Sequence, residues 1–253
     1  MDAPDGISEY PKTLLLTGAS RGIGHATVKR FSAAGWRVIT ISRQPFSEKC
    51  PWSYGKENHL QMDLADLDQI EHGVMELKRR LPDGKLHALV NNAGISPKMP
   101  DGSRMDTIHT DMKTWLHVFS VNLFSAVVLA RGMLEELSAA SGSIVNVTSI
   151  AGKRVHPFAG PAYATSKAAL AALTREMAND FSAFGIRVNA VSPGEVTSSI
   201  LSPGTDAIVE RSVPMKRLGT TGEVAEVIYF LCSEAASYVN GAEIPVDGGQ
   251  QVR

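Results

Sequence analysis

Tyr163 and Lys167 stand four residues apart in a chain of 253. That spacing puts both side chains on one face of a helix. A free tyrosine has a pKa of about 10, too high for efficient proton exchange near neutrality. An ammonium one helical turn away favours the phenolate and lowers that value. Ser149 precedes Tyr163 by fourteen residues and adds a hydroxyl that can donate to an oxygen held by the tyrosine. A second set of residues suits a different task. Thr17-Gly18-Ala19-Ser20-Arg21-Gly22-Ile23-Gly24 follows a short apolar run and opens a helical one. Gly18 permits a tight turn, Gly22 a close backbone approach to a pyrophosphate, and Gly24 close packing of helix on strand. The helix N-terminus then offers free N–H groups and a partial positive charge to phosphates.

These groups need a frame, and the apolar pattern supplies one. Short apolar or β-branched runs at 13–16, 37–41, 60–62, 88–90, 143–147 and 186–191 read as strands. Segments 23–34, 67–79, 112–137 and 163–181 have helix-like apolar spacing. Gly35 follows the first of these helices as a left-handed cap would. Strand–helix alternation of this kind requires right-handed crossovers and gives a doubly wound α/β fold, a parallel sheet with helices on both faces. Ligands then gather at the carboxyl ends of the strands, near the switch in strand order. With 43% hydrophobic residues and no linker-like stretch, residues 1–253 read as one domain.

Composition excludes other classes. The formal net charge of -1 predicts no nucleic-acid partner and no anionic membrane surface. Cys50 and Cys232 lie far apart and form neither a metal motif nor a disulfide framework, which fits a reducing compartment. No run approaches the roughly 18 apolar residues of a membrane span, and the first residues show no charged start followed by an apolar stretch, so neither a span nor a secretory leader is expected. A cytoplasmic location is the expectation, with no metal.

The glycines are spaced G-x-x-x-G-x-G after Thr17, and this pattern resembles the short-chain dehydrogenase/reductase family. The resemblance extends over roughly residues 11–250: Asn91-Asn92-Ala93-Gly94, Asn122, Ser149, Tyr163-x-x-x-Lys167, Pro193-Gly194 and Val246-Asp247-Gly248-Gly249 come in the family's order. Among single-domain members it is similar to 3-oxoacyl-carrier-protein reductases. The resemblance implies a Rossmann fold and hydride transfer between NAD(P)(H) and a small carbonyl or alcohol. It implies Asn122, Ser149, Tyr163 and Lys167 as the catalytic set. Ser149 and Tyr163 would hold the developing alkoxide, Lys167 would also bond the nicotinamide ribose, and Asn122 would order a water beside it. The implied cofactor contacts run from Gly18, Ser20, Arg21, Gly22, Ile23 and Gly24 through Ser42 and Arg43 to Asp63 and Leu64. They continue with Asn91, Ala93, Gly94, Tyr163, Lys167, Pro193, Gly194, Val196 and Ser198. Asp63 matches the position that contacts adenine, and Val196 the one that holds the carboxamide through its backbone.

Ser42-Arg43 stands where an NAD-specific protein usually carries an acid on the ribose 2′-OH. Without that carboxylate, Arg43 and Arg21 can hold a 2′-phosphate, and NADP(H) is expected over NAD(H). Residues 195–214 lack a strong apolar period and read as a mobile lid. His156 and Phe158 are expected at the pocket mouth. Segment 96–111 is longer than the family usually shows and reads as an enlarged loop. Helices 115–137 and 163–181 are apolar beyond one stripe, which predicts a homo-oligomer, a tetramer ahead of a dimer. Two competing readings stand beside the oxidoreductase. One is a catalytically silent cofactor sensor, which an intact Asn–Ser–Tyr–Lys set disfavours. The other is a nucleotide-sugar epimerase or dehydratase, usually with a substantial C-terminal substrate domain. Enoyl reductases of this fold have a wider Tyr–Lys spacing.

Overall fold

The computed structural model describes residues 10–46, 56–197 and 204–252. Inside its sheet lies β1 (Thr13–Thr17), every residue of which is buried. Leu14 and Leu16 point to one face of the sheet and Leu15 to the other, and each face has its own apolar layer. Continuous burial of this kind is expected of a strand covered by helices on both sides.

The chain then alternates: α1 (Gly22–Ala33), β2 (Arg37–Ser42), β3 (His59–Gln61), α2 (Leu67–Arg79) and β4 (Ala88–Asn91). Helices α3 (Met112–Phe119), α4 (Ser125–Gly132) and α5 (Leu134–Ala139) follow, then β5 (Ser143–Val147) and the 22-residue α6 (Pro161–Ser182). The chain closes with β6 (Arg187–Pro193), α7 (Thr205–Ser212), α8 (Thr221–Cys232) and β7 (Glu243–Val246). The strands form one parallel sheet of seven in the order β3-β2-β1-β4-β5-β6-β7. The order reverses between β1 and β4, so the crevice for a ligand opens at the carboxyl ends of those two strands.

One face of the sheet packs on α2, α4 and α6 through Ile70, Leu129 and Met177; the other packs on α1 and α8 through Phe31, Val224 and Ile228. The sequence reading did not single out α8. It begins with a capping box: Thr220 Oγ1 accepts from Glu223 N, and the Glu223 carboxylate accepts from Thr220 N.

The expected single helix over 112–137 is interrupted twice. A wide π turn occupies Ser120–Phe124, and the chain breaks at Met133 before α5. The run Met112–Gly132 is long and apolar enough to cross a membrane by length and composition. This corrects the expectation that no run approaches a span; 33% of its apolar stretch is buried, and Val118, Ala126 and Leu129 face inward while Met112, Leu116 and Phe124 are exposed. The expected lid is not irregular throughout, since α7 lies within it and buries Ile208 and Val209.

Candidate active site

The crevice is a cleft of about 530 Å³ lined from both sides of the switch point. At one end lies the glycine turn. Gly18 and Gly22 both have positive φ, +70° and +58°, conformations that a side chain would strain. Gly18 N donates to Ile41 O, which ties the turn to β2. A Cβ on Gly18 would come within 2.9 Å of the Ala93 Cα, so the turn and the strand-end loop pack without room for one. Arg21 is the N-cap of α1 and makes no side-chain cap, and Ser20, Gly22 and Ile23 beside it line the cleft, so the start of this helix suits an anion.

Thr17, Asn92 and Ala93 lock this end. Thr17 Oγ1 accepts from the backbone N–H groups of Asn92 and Ala93, and Asn92 Nδ2 donates to the carbonyls of Thr17 and Gly18, all at 3.0 Å. Asn91, expected as a cofactor contact, turns the other way. It is the last residue of β4, and its Nδ2 donates to Asn146 Oδ1 inside the sheet. The strand ends there, and Asn92 N turns back to donate to Val90 O at 3.1 Å, so only the second asparagine of the pair reaches the cleft. Asn92 is therefore the residue of the pair that sequence reasoning missed, and no local pattern separates it from Asn91.

At the other end the cleft holds Ser149, Tyr163 and Lys167. Ser149 ends the turn after β5, where its Oγ accepts from Ala151 N at 3.2 Å. Tyr163 lies in the first turn of α6, started by Pro161 in the helix's opening position. Desolvation pushes the phenol's pKa up, while the hydroxyl of Ser149 beside it acts in the opposite direction. Lys167 is buried, and its Nζ donates to Val147 O at 2.7 Å. Burial lowers its pKa to about 8. The ammonium lies 5.9 Å from the centre of the Tyr163 ring. Among the groups that act on the phenol, burial outweighs all others, so the expected lowering of its pKa by Lys167 is not in evidence in the protein alone.

Asn122 does not line the cleft. The π turn carries it behind the wall, where its Oδ1 accepts from Ile95 N at 2.8 Å and its Nδ2 donates to Ile95 O and to Ser166 Oγ. Ser166 neighbours Lys167 on α6. A Cβ on Gly94 would lie 3.2 Å from Lys167 Nζ and 3.6 Å from Asn122 Oδ1, so all three groups meet at that glycine.

Of the other residues singled out in the sequence, Ser20, Ile23, Ser42, Arg43, Asp63, Leu64, Pro193, Gly194 and Val196 line the cleft, as do His156 and Phe158. Gly24 sits behind the glycine turn. Ser198 lies outside the described residues. Glu195 was not expected: it enters the cleft and pairs with His156, Oε1 to Nε2, at 2.6 Å. Lys98 and Ser96, from the enlarged loop, also reach the cleft.

The fit to a nicotinamide dinucleotide rests on these observations. The side-chain-free turn at Gly18 and Gly22, the uncapped start of α1 and the elongated cleft suit a pyrophosphate flanked by two nucleosides.

A model of the family described as enoyl-(acyl carrier protein) reductase matches residues 18–251. The chain belongs to the short-chain dehydrogenase/reductase family. It is 60% identical over 243 residues to Protein FixR of Bradyrhizobium diazoefficiens, covering 96% of this chain and 87% of that one. It is 34% identical to the 3-oxoacyl-[acyl-carrier-protein] reductase FabG of Thermotoga maritima, with 94% and 97% covered. A crystal structure of a short chain dehydrogenase/reductase family oxidoreductase from Brucella ovis, in complex with a partially ordered NAD, has a TM-score of 0.82 and 61% identity. It covers 94% of this chain and 100% of that one. The chain is thus a member of an oxidoreductase family built for a nicotinamide cofactor.

Proposed function

We propose that this protein interconverts a small carbonyl compound and its alcohol, with Tyr163 giving or taking the proton. The observation that carries the reading is the meeting of Ser149, Tyr163 and Lys167 in the same cleft as the glycine turn. A bound nicotinamide supplies or accepts the hydride at the substrate carbon. Ser149 donates to the substrate oxygen and orients it toward the phenol. Tyr163 delivers its proton to that oxygen during reduction and removes it during oxidation. Lys167 holds its place through Val147 O and has two further N–H groups for the cofactor ribose. Asn122 positions the loop at Ile95 and, through Ser166, the turn of α6 that carries Lys167. The matching family model bears an enoyl reductase's description, but the close Tyr163–Lys167 spacing favours chemistry at a carbonyl oxygen. The test is steady-state turnover of a ketone and alcohol panel with both cofactors. Tyr163→Phe should lose at least about two orders of magnitude in kcat and leave cofactor affinity nearly unchanged. A Tyr163→Phe enzyme with wild-type kcat would refute the assignment.

For the cofactor we propose NADP(H) ahead of NAD(H). Ser42 ends β2 without a carboxylate, and its Oγ donates to Gln44 O. Arg21 and Arg43 line the cleft and have no carboxylate partner among the described residues. A second reading has its own support: the similar Brucella ovis protein was crystallised with NAD. The ratio of kcat/KM for the two cofactors decides between them.

The exposed apolar faces support a homo-oligomer, a tetramer in preference to a dimer. Met112 and Leu116 on α3 and Phe124 in the π turn are exposed, and so are Ala168 and Ala172 on α6. These faces lie on one side of the sheet and suit a two-fold helical contact. β7 is an edge strand and suits a second axis. The buried free thiol of Cys232 is in keeping with a cytoplasmic location.

A further inference from the structure

The enlarged loop brings a cation into the cleft. Lys98 and Arg104 pair as an antiparallel bridge, which folds the loop back on itself. Both side chains then rest on the backbone just before α6. Arg104 Nε donates to Ala159 O at 2.8 Å, and Lys98 Nζ donates to Phe158 O. Phe158 lies five residues before Tyr163, so this strut meets the end of the cleft where Ser149 and Tyr163 stand.

The two cations are not equivalent. Lys98 lines the cleft and Arg104 does not. Lys98 is half-buried, and the ring of Phe158 lies 5.8 Å from its Nζ. No carboxylate among the described residues pairs with it. Of the acids that line the cleft, Glu195 is engaged by His156, and Asp63 accepts from Ala65 N. Desolvation and the neighbouring Arg104 both push the Lys98 ammonium's pKa down. A partly buried charge without a counter-ion is costly. A strut alone does not require it, because Arg104 already ties the loop to Ala159 and a neutral amide would serve at Phe158. An ammonium has three donors, and the Phe158 carbonyl uses one.

We infer that Lys98 is a substrate-binding residue whose free N–H groups receive a carboxylate, and that the substrate is an oxo or hydroxy acid. The inference rests on the oxidoreductase reading above and narrows its substrate class. The acid's reacting oxygen sits between Ser149 and Tyr163 while its carboxylate closes on Lys98. The loop that departs from the usual family length thus becomes a specificity element.

The experiment uses straight-chain methyl-ketone carboxylic acids, from levulinic acid upward, and the methyl ester of each. Binding is measured by calorimetry on full-length enzyme saturated with oxidised cofactor, where no reduction occurs. At least one acid should bind about tenfold or more tighter than its ester, the scale of a charge-assisted hydrogen bond. Lys98→Gln keeps a donor for Phe158 O and removes the charge, so the acid–ester ratio should fall to near one. Lys98→Arg should retain most of the ratio. Equal binding of every acid and its ester, no binding of any acid, or a ratio unchanged in Lys98→Gln overturns the inference. Reduction is assayed separately with reduced cofactor. Tight, Lys98-dependent binding of an acid without any turnover would leave Lys98 as an anion site and count against the oxidoreductase reading instead.

Discussion

Gly24 lies so close to Gly18 that a methyl group on it would sit 2.1 Å from the Gly18 carbonyl oxygen. The first turn of α1 is thus pressed against the glycine turn that it follows. The obstacle is backbone, which cannot swing aside as a side chain can. Gly24→Ala should destabilise the protein by about 1–3 kcal/mol or more, as overpacking does. It should also weaken dinucleotide binding at least about tenfold, since misplacing a turn by an ångström misaligns its N–H groups. Gly222→Ala is the control. There the new methyl meets only Thr220 Oγ1, at 3.7 Å, and helix stability should rise by about 0.5–1 kcal/mol. Thermal melts and cofactor titrations of both variants check the contrast.

Lys167 predicts a pH dependence of stability. Burial lowers its pKa from 10.5 to about 8, so between those values the unfolded chain binds more protons than the folded one. Stability contributed by this group therefore rises with pH through that window. Between pH 7.5 and 9.5 the gain is about 2 kcal/mol. Lys167→Met cannot show it. Urea unfolding of wild type and variant at the two pH values should find the variant relatively more stable at pH 7.5 than at 9.5. A stability difference independent of pH would mean that Lys167 is not desolvated in the folded protein.

Ser42 sets the cofactor prediction. Ser42→Asp places a carboxylate at the end of β2, where it can accept from a free 2′-OH and repels a 2′-phosphate. The NADP(H)-to-NAD(H) ratio of kcat/KM should fall by at least about tenfold. A wild-type ratio already in favour of NAD(H) would overturn the reading of Arg21 and Arg43.

Ala172 tests the assembly. It is exposed on α6, the helix that carries Tyr163 and Lys167. Light scattering of the wild type at low micromolar concentration should give a multiple of 27.1 kDa. Ala172→Glu should reduce that mass and lower activity as well. A wild-type mass near 27.1 kDa would refute the assembly outright.

The fold was legible because β1, β4, β5 and β6 are short, almost wholly buried runs, and the more exposed β2 and β3 still stand as short β-branched or apolar runs set against helices. The sheet needed no long-range guess beyond the handedness of its crossovers. The site was legible where its residues act through local spacing, as with Tyr163 and Lys167 on α6. It was less legible where three-dimensional register decides. Asn91 and Asn92 are identical in type, and only the turn at the end of β4 separates one that bonds Asn146 from one that clamps Gly18. The pairing of Glu195 with His156 joins residues 39 apart, and no local pattern announces it. Lys98 enters the cleft because the loop closes through Arg104, a contact absent from any periodicity. Helix α8 could have been found from Thr220 and Glu223, whose spacing marks a helix start.

The π turn at Ser120–Phe124 is, in helical terms, a phase shift. It accommodates one residue beyond regular α-helical winding, and each residue of an α-helix turns the chain by about 100°. Removing one residue there would restore a continuous helix, but it would rotate α3 about its own axis relative to α4. Val118 and Leu129 are now both fully buried; in the shortened chain they could not both face inward. The same excision would draw Asn122 back into line and away from Ile95. The irregularity therefore couples the rotational setting of two helices to the reach of one amide, and neither can be regularised alone.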